Sequence, residues 1–517
     1  MFALKLVILI AYFAVLIGIG LYCRKHSTDV NGFVLGGRSV GPWLTAFAYG
    51  TSYFSAVVFV GYAGQFGWKY GISATWAGIG NSIIGSLMAW VILGRRTRIM
   101  SQHLDSATMP QFFEKRFDSK SLKIFASVII FVFMIPYTAS LYNGLSRLFG
   151  MAFNIDYTWC IILMSVLTAI YVIAGGYMAT AINDFIQGII MLVGITVVVF
   201  AVLKTKGGFM AALDGLARIQ DSRVSDTPGI FASFFGPDPL NLMFVVLLTS
   251  LGTWGLPQMV QKFYAIKNEA SIKKGTIISS LFALVVAGGC YFLGGFGRLF
   301  TDVLNVGPNG IPEGGFDAII PTMLSTLSPG LIALVVVLVL SASMSTLSSL
   351  VIASSSTLTI DFIASFKKDM KENTKVLMMR FFIVVFIAIS AVLALVQYKK
   401  GITFIAQLMG VSWGALAGAF LAPFMYSLYW KKTTKISCYA SFTFGSVLMI
   451  LNMFFRQSFP EIMQSPINCG VIAMLSGLII VPVVSLFTKK PDTKLVEETF
   501  ACYKKTTRVP QETALGE

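Results

Sequence analysis

The sequence predicts an all-α integral membrane protein. It should form a bundle of about thirteen transmembrane helices, with helices 2–6 and 7–11 as two inverted five-helix repeats. Three observations predict this. Of 517 residues, 56% are hydrophobic and 12% charged, with a mean hydropathy of +0.78. A water-exposed fold of that composition would present large apolar patches and aggregate, so the natural solvent is lipid. The apolar residues fall into stretches of about 20, the length a helix needs to cross hydrocarbon, centred near residues 13, 55, 83, 137, 167, 191, 251, 287, 340, 387, 412, 446 and 477. Two of these stretches, five helices apart, are interrupted by helix-breaking residues.

The first stretch, Ala3 to Tyr22, lacks a basic leader and a small-residue cleavage site, and reads as a retained helix. The second contains Ala48-Tyr-Gly-Thr-Ser-Tyr-Phe-Ser55, and the seventh Gly252-Thr-Trp-Gly-Leu-Pro-Gln258. Each interruption frees backbone amides and carbonyls, which hydrocarbon tolerates only where they line a protein cavity. A repeat of five helices places the two halves in opposite orientation, and matched breaks in inverted halves mark a transporter's central site. Helix 1 stands outside the repeats, helices 12 and 13 follow them, and residues 1–488 form one membrane domain. Residues 489–517 are polar, without an apolar period, and read as a cytoplasmic tail. The loop at 204–237, with its Asp-Gly, Thr-Pro and Gly-Pro-Asp steps, is a surface connection.

The formal charge of +16 follows topology rather than nucleic-acid binding. Basic residues gather after the odd helices: Arg24, Lys25 and Arg38; Arg95, Arg96, Arg98, Lys115 and Arg116; Lys262, Lys267, Lys273 and Lys274. Lys367, Lys368, Lys371 and Lys375, then Lys431, Lys432 and Lys435, and finally Lys489 and Lys490 continue the pattern. Cytoplasmic loops collect such charge, so the N-terminus is expected outside and the C-terminus in the cytoplasm of a cell bounded by this plasma membrane. Six scattered Cys and two loop His, His26 and His103, give no metal spacing. With no nucleophile–base pair in the spans either, an intramembrane enzyme is not expected.

Helix 9 carries the chemistry. It runs Ser341-Ala-Ser-Met-Ser-Thr-Leu-Ser-Ser349, and positions 342, 345, 346 and 349 share one face. Sodium, a hard cation, takes oxygen ligands. Hydroxyls of Ser345 and Thr346, the carbonyl of Ala342, and carbonyls freed near Thr51 and Phe54 would supply five. Asp184 lies inside helix 6, where a buried acid is costly and needs a partner. The nearby span holds no Lys or Arg, so a cation is the expected partner, in a second sodium site of Asp184, Ser345, Ser348 and Ser349. Proton coupling through Asp184 and a solute-binding membrane sensor are the rival expectations.

These segments resemble the sodium:solute symporter family. The resemblance rests on Ser343-Met-Ser-Thr-Leu-Ser348, Gly50-Thr-Ser-Tyr-Phe-Ser55, Gly175-Gly-Tyr-Met-Ala with Asp184 and Gln187, and Gly255-Leu-Pro-Gln258. It implies the leucine-transporter type of fold, alternating access, Na+ as coupling ion without other cofactors, and the family's sodium site on Thr51, Phe54, Ala342, Ser345 and Thr346. Asp184, Ser348 and Ser349 match the additional sodium site of sialic acid transporters in the family. Proline symporters carry an Asp where this chain has Tyr53, and an aromatic where it has Thr253. The expected solute is therefore a small organic molecule of the carboxylate-bearing kind (amino acid, pantothenate or monocarboxylate), with a sugar or sialic acid as the alternative. Its pocket is expected between the breaks, on Tyr53, Ser55, Tyr137, Thr253, Trp254, Gln258 and Gln407. Arg147 is placed near the outer end of helix 4, snorkelling to the interface. No protein partner is implied.

Overall fold

The computed structural model describes residues 2–503 except 53, 154, 368 and 401–404. Every extended apolar stretch became helix, because in lipid a helix satisfies all its own backbone groups. α1 is Phe2–Cys23, and α2 is split into Pro42–Thr51 and a second half over 57–70. α3 covers 75–103 and α4 is Lys120–Phe153. A single helical run, Tyr157–Thr205, kinks at Gly176 (φ 57°) and so holds both α5 and α6. α7 joins Pro239–Gly255 to Pro257–Ala265 through a 49° bend. Then follow α8 (Glu269–Gly294), α9 (Pro329–Ser356, continued by a wider turn to Phe366), α10 (Glu372–Lys400), α11 (Ile405–Tyr429), α12 (Lys435–Phe455) and α13 (Pro466–Phe487). Among the described residues nine helical runs, or ten with the bent α7, are long and apolar enough to cross a membrane, against the thirteen spans expected. Two consecutive pairs run nearly without interruption, α2 into α3 past Gly71 (φ 64°) and α5 into α6 at Gly176. Only glycine adopts such backbone angles without strain.

Both predicted breaks are present. The first half of α2 ends at Thr51 and helix resumes at Val57. In α7, Leu251–Gly255 tightens into a 3₁₀ turn, Leu256 is extended (φ −84°, ψ 121°), and Pro257 starts the second half at the position where a missing N–H costs nothing. Tyr49, flanked by Trp90 (ring centroids 5.5 Å) and Phe263 (5.3 Å), ties the first half of α2 to α3 and the second half of α7.

The loop at 204–237 is anchored rather than loose. Asp221 pairs with Arg223 (2.8 Å) and with Arg298 (2.9 Å), whose guanidinium lies over the rings of Phe231 (3.9 Å) and Trp68 (4.8 Å). The hydrogen bond from Arg223, helped by Arg298, holds the Asp221 carboxyl at about 2. Its folded value is thus depressed, so the anchoring is complete above the ordinary Asp value of about 4 and is lost only as pH falls through about 2. Asp221→Asn is expected to speed limited proteolysis of this loop several-fold at pH 7, while the native loop should be cut equally slowly at pH 5 and pH 8.

The polar segment after 488 contains an unexpected element. Thr493–Phe500 is helical and buries Val496 and Phe500 against the bundle. Arg116 lies over the Phe500 ring (4.9 Å), Tyr503 donates its hydroxyl to the Arg96 carbonyl (3.1 Å), and His103 Nε2 bonds the Glu498 carbonyl (2.8 Å). So short an amphipathic stretch leaves little mark on composition.

Candidate functional site

The break in α2 faces α9. From Ser341 to Ser356 every α9 side chain is buried, so its hydroxyls face protein and not lipid. Several make the bonds a helical serine makes with its own backbone: Ser348 donates to the Ser345 carbonyl (2.9 Å) and Ser356 to that of Ala353 (3.1 Å). Ser345 and Thr346 differ. Ser345 Oγ lies 3.0 Å from the carbonyls of both Thr51 and Ala342. Thr346 Oγ1 lies 3.1 Å from Thr51 O, 3.2 Å from Phe54 O and 3.1 Å from Ala342 O. Three carbonyls thus surround two hydroxyls, which own only two protons between them. The cluster is rich in lone pairs and short of donors, the condition that suits a small hard cation. The five oxygens expected from the sequence are brought together here. Beyond the gap, Ser343 Oγ accepts from Ala56 N (3.2 Å) and Ser55 Oγ from Val57 N (3.2 Å), capping the restarted helix.

Asp184 is fully buried, and the expectation that no basic residue accompanies it is corrected: Lys262 Nζ stands 3.8 Å from its carboxylate. Lys262, counted above among loop charges, is itself buried. It lies on the second half of α7, which the 49° bend carries into the bundle, an approach that sequence distance conceals. Its ammonium donates to Ser349 Oγ (3.0 Å) and sits over the Tyr177 ring (4.9 Å). Of the residues expected around a second ion, Ser345 faces the α2 carbonyls, Ser348 serves its own helix, and Ser349 receives Lys262.

The candidate solute residues divide. Thr253 Oγ1 reaches the carbonyls of Gly85 (3.2 Å) and Ser250 (2.8 Å), and Trp254 Nε1 donates to Ile84 O (2.9 Å). Ile84 and Gly85 belong to a wide π-turn of α3, Asn81–Met88, whose geometry spares carbonyls for such bonds. Both side chains thereby pin the α7 break to α3. Gln407 accepts from Arg456 (3.1 Å) at the start of α11. Gln258 and Tyr137 are buried, and the Gln258 amide completes no hydrogen bond among the described residues. Tyr53 lies outside the described residues. Trp413, which sequence reasoning missed, meets Tyr137 edge-on (5.8 Å). A Cβ at Gly252 would stand 3.8 Å from the Trp413 ring, which puts that ring against the α7 break. A lone Trp in an apolar helix was the available signal. Arg147 is half-buried, 3.9 Å from the buried Asp317, and so carries an ion pair as well as any interfacial role. A cleft of about 750 Å³ opens beside Lys69, Asp221, Asp238, Asn241, Arg298 and Asn468, at the end of the bundle where the second half of α2 meets the loop at 204–237.

The family model for the sodium:solute symporter family matches residues 33–445, most of the chain. The chain belongs to that family. This symporter is 28% identical over 483 residues to the osmoregulated proline transporter OpuE of Bacillus subtilis, covering 93% of this chain and 94% of that one. It is also 28% identical over 496 residues to a sodium/proline symporter of Staphylococcus aureus, covering 94% and 93%. Among solved structures, a substrate-bound, outward-open Na+-coupled sialic acid symporter aligns with a TM-score of 0.76 at 18% identity, over 94% of this chain and 98% of that one. That likeness carries the fold. The symporter is a multi-pass membrane transporter of all-α, leucine-transporter-type architecture.

Proposed function

We propose that this protein is a sodium-coupled symporter of the plasma membrane that imports a small organic solute, with its N-terminus outside and its C-terminus in the cytoplasm. The observation that carries the reading is the cage of Thr51, Phe54, Ala342, Ser345 and Thr346 oxygens at the break of α2. Sodium entering it satisfies three carbonyls at once and clamps α2 to α9. The clamp fixes the break beside which Ser55 stands, with Gln258 beyond the α7 break and Tyr137 and Trp413 as aromatic walls against it. Aromatic rings close over apolar parts of a solute while their polar tips orient it. Thr253 and Trp254 shape the pocket through α3. Sodium and solute then raise each other's affinity by one common factor.

A carboxylate-bearing solute of amino-acid size is favoured by the two relatives, both named for proline. Tyr53 and Thr253 in place of the proline symporters' Asp and aromatic favour a solute other than proline itself. The test is uptake of labelled amino acids, monocarboxylates, pantothenate and sugars by proteoliposomes under an inward sodium gradient. Accumulation of at least one solute is expected, collapsing when potassium replaces sodium. Equal uptake driven by a pH gradient in sodium-free medium would refute sodium coupling, and binding without accumulation would indicate a sensor.

A further inference from the structure

The Asp184 site already contains a cation of its own. One carboxylate faces one ammonium at 3.8 Å, with both side chains almost wholly buried, so the pair is neutral as it stands. A sodium ion added beside Asp184 would sit next to the Lys262 ammonium and leave the site with a net positive charge, unscreened by water. Burying unpaired charge is among the most unfavourable things a protein interior can do.

The ammonium also has a direction of action. Ser52 Oγ donates to the Ala48 carbonyl, so towards Ser349, 2.9 Å away, it acts as acceptor. Ser349 in turn accepts from Lys262 at 3.0 Å. The donors line up from Lys262 to Ser349 to Ser52 to the last turn of the first half of α2, one residue from Thr51, whose carbonyl belongs to the sodium cage. A single side chain on the second half of α7 thereby engages α6 through Asp184, α9 through Ser349 and α2 through Ser52.

We propose that the Lys262 ammonium is the resident cation of the Asp184 site, standing in for a second sodium ion and tying the second half of α7 to α2, α6 and α9, so that the protein binds sodium only at the α2–α9 cage. The part concerning the cage rests on the functional reading above; the part concerning Asp184 does not.

The experiment is equilibrium binding of radioactive sodium to the purified full-length protein in detergent, counted per polypeptide at saturation. Native protein should bind a single ion, lost in the Ser345→Ala/Thr346→Ala variant and kept in Asp184→Asn. Lys262→Gln leaves Asp184 without its cation, and saturating sodium should double. Lys262→Arg, which keeps a cation, and the charge-free pair Asp184→Asn/Lys262→Gln should each return to a single ion. Two ions on native protein, one of them abolished by Asp184→Asn, overturn the proposal, as does a single ion that Asp184→Asn removes. If native protein binds none while Lys262→Gln binds one, the sodium-cage reading fails and the Lys262 assignment stands. Should Lys262→Gln not fold, the native, Asp184→Asn and Lys262→Arg counts still decide.

Discussion

Replacing Ser345 and Thr346 together by Ala is expected to weaken sodium binding by about a hundredfold or more, and with it sodium-driven uptake. Each hydroxyl oxygen that contacts a charged partner contributes about 1.5–3 kcal/mol, and 1.4 kcal/mol is a factor of ten. Loss of the two therefore leaves the carbonyls of Thr51, Phe54 and Ala342 as a partial shell. The effect should be on sodium, with solute affinity falling only as far as coupling transmits it. The informative comparison is Ser356→Ala, on the same helix and equally buried, whose hydroxyl bonds only its own helix at Ala353. That variant should keep sodium affinity within about twofold, since an own-helix serine bond contributes little. Sodium titration of uptake for both variants decides. An unchanged sodium requirement in the double variant would remove the cage from the mechanism.

What the sequence disclosed and what it concealed follow from the range of the interactions. The breaks at Gly50–Ser55 and Gly252–Gln258 were visible because Gly, Pro and hydroxyls in an apolar run are local signals. The cage was visible because Ala342, Ser345, Thr346 and Ser349 share a helix face, and the break opposite them was already located. The Lys262–Asp184 pair was not, since it depends on the 49° turn of α7 delivering a residue that looked like loop charge into the core. Thr253 and Trp254 looked like solute contacts because nothing in Asn81–Met88 announces a π-turn with carbonyls to spare. Local pattern locates the special segments; what their side chains touch is settled by tertiary packing.

Gly67→Leu is the second change expected to be severe, and its reason is backbone contact. A Cβ on Gly67 would lie 2.0 Å from the carbonyl carbon and oxygen of Gly294, and one on Gly294 would lie 2.0 Å from the Ala63 carbonyl oxygen. The second half of α2 and the end of α8 therefore touch main chain to main chain, as small residues permit between membrane helices. No rotamer relieves such an overlap, because the obstructing atoms are backbone. Even a modest overpacking in a rigid core costs about 1–3 kcal/mol, and here two helices must separate along their length. The yield of monodisperse protein after detergent extraction should fall at least several-fold. Gly18→Ala, with nothing within 4 Å of the added carbon, should match the native protein. The seam also bears on transport. The second half of α2 begins just beyond Phe54, whose carbonyl is part of the cage, and it has no play against α8. Any rearrangement that opens the cage must then move these two helices as one body. If Gly67→Leu folded and transported normally, α2 would be free to slide on α8, and coupling through a rigid pair would have to be abandoned.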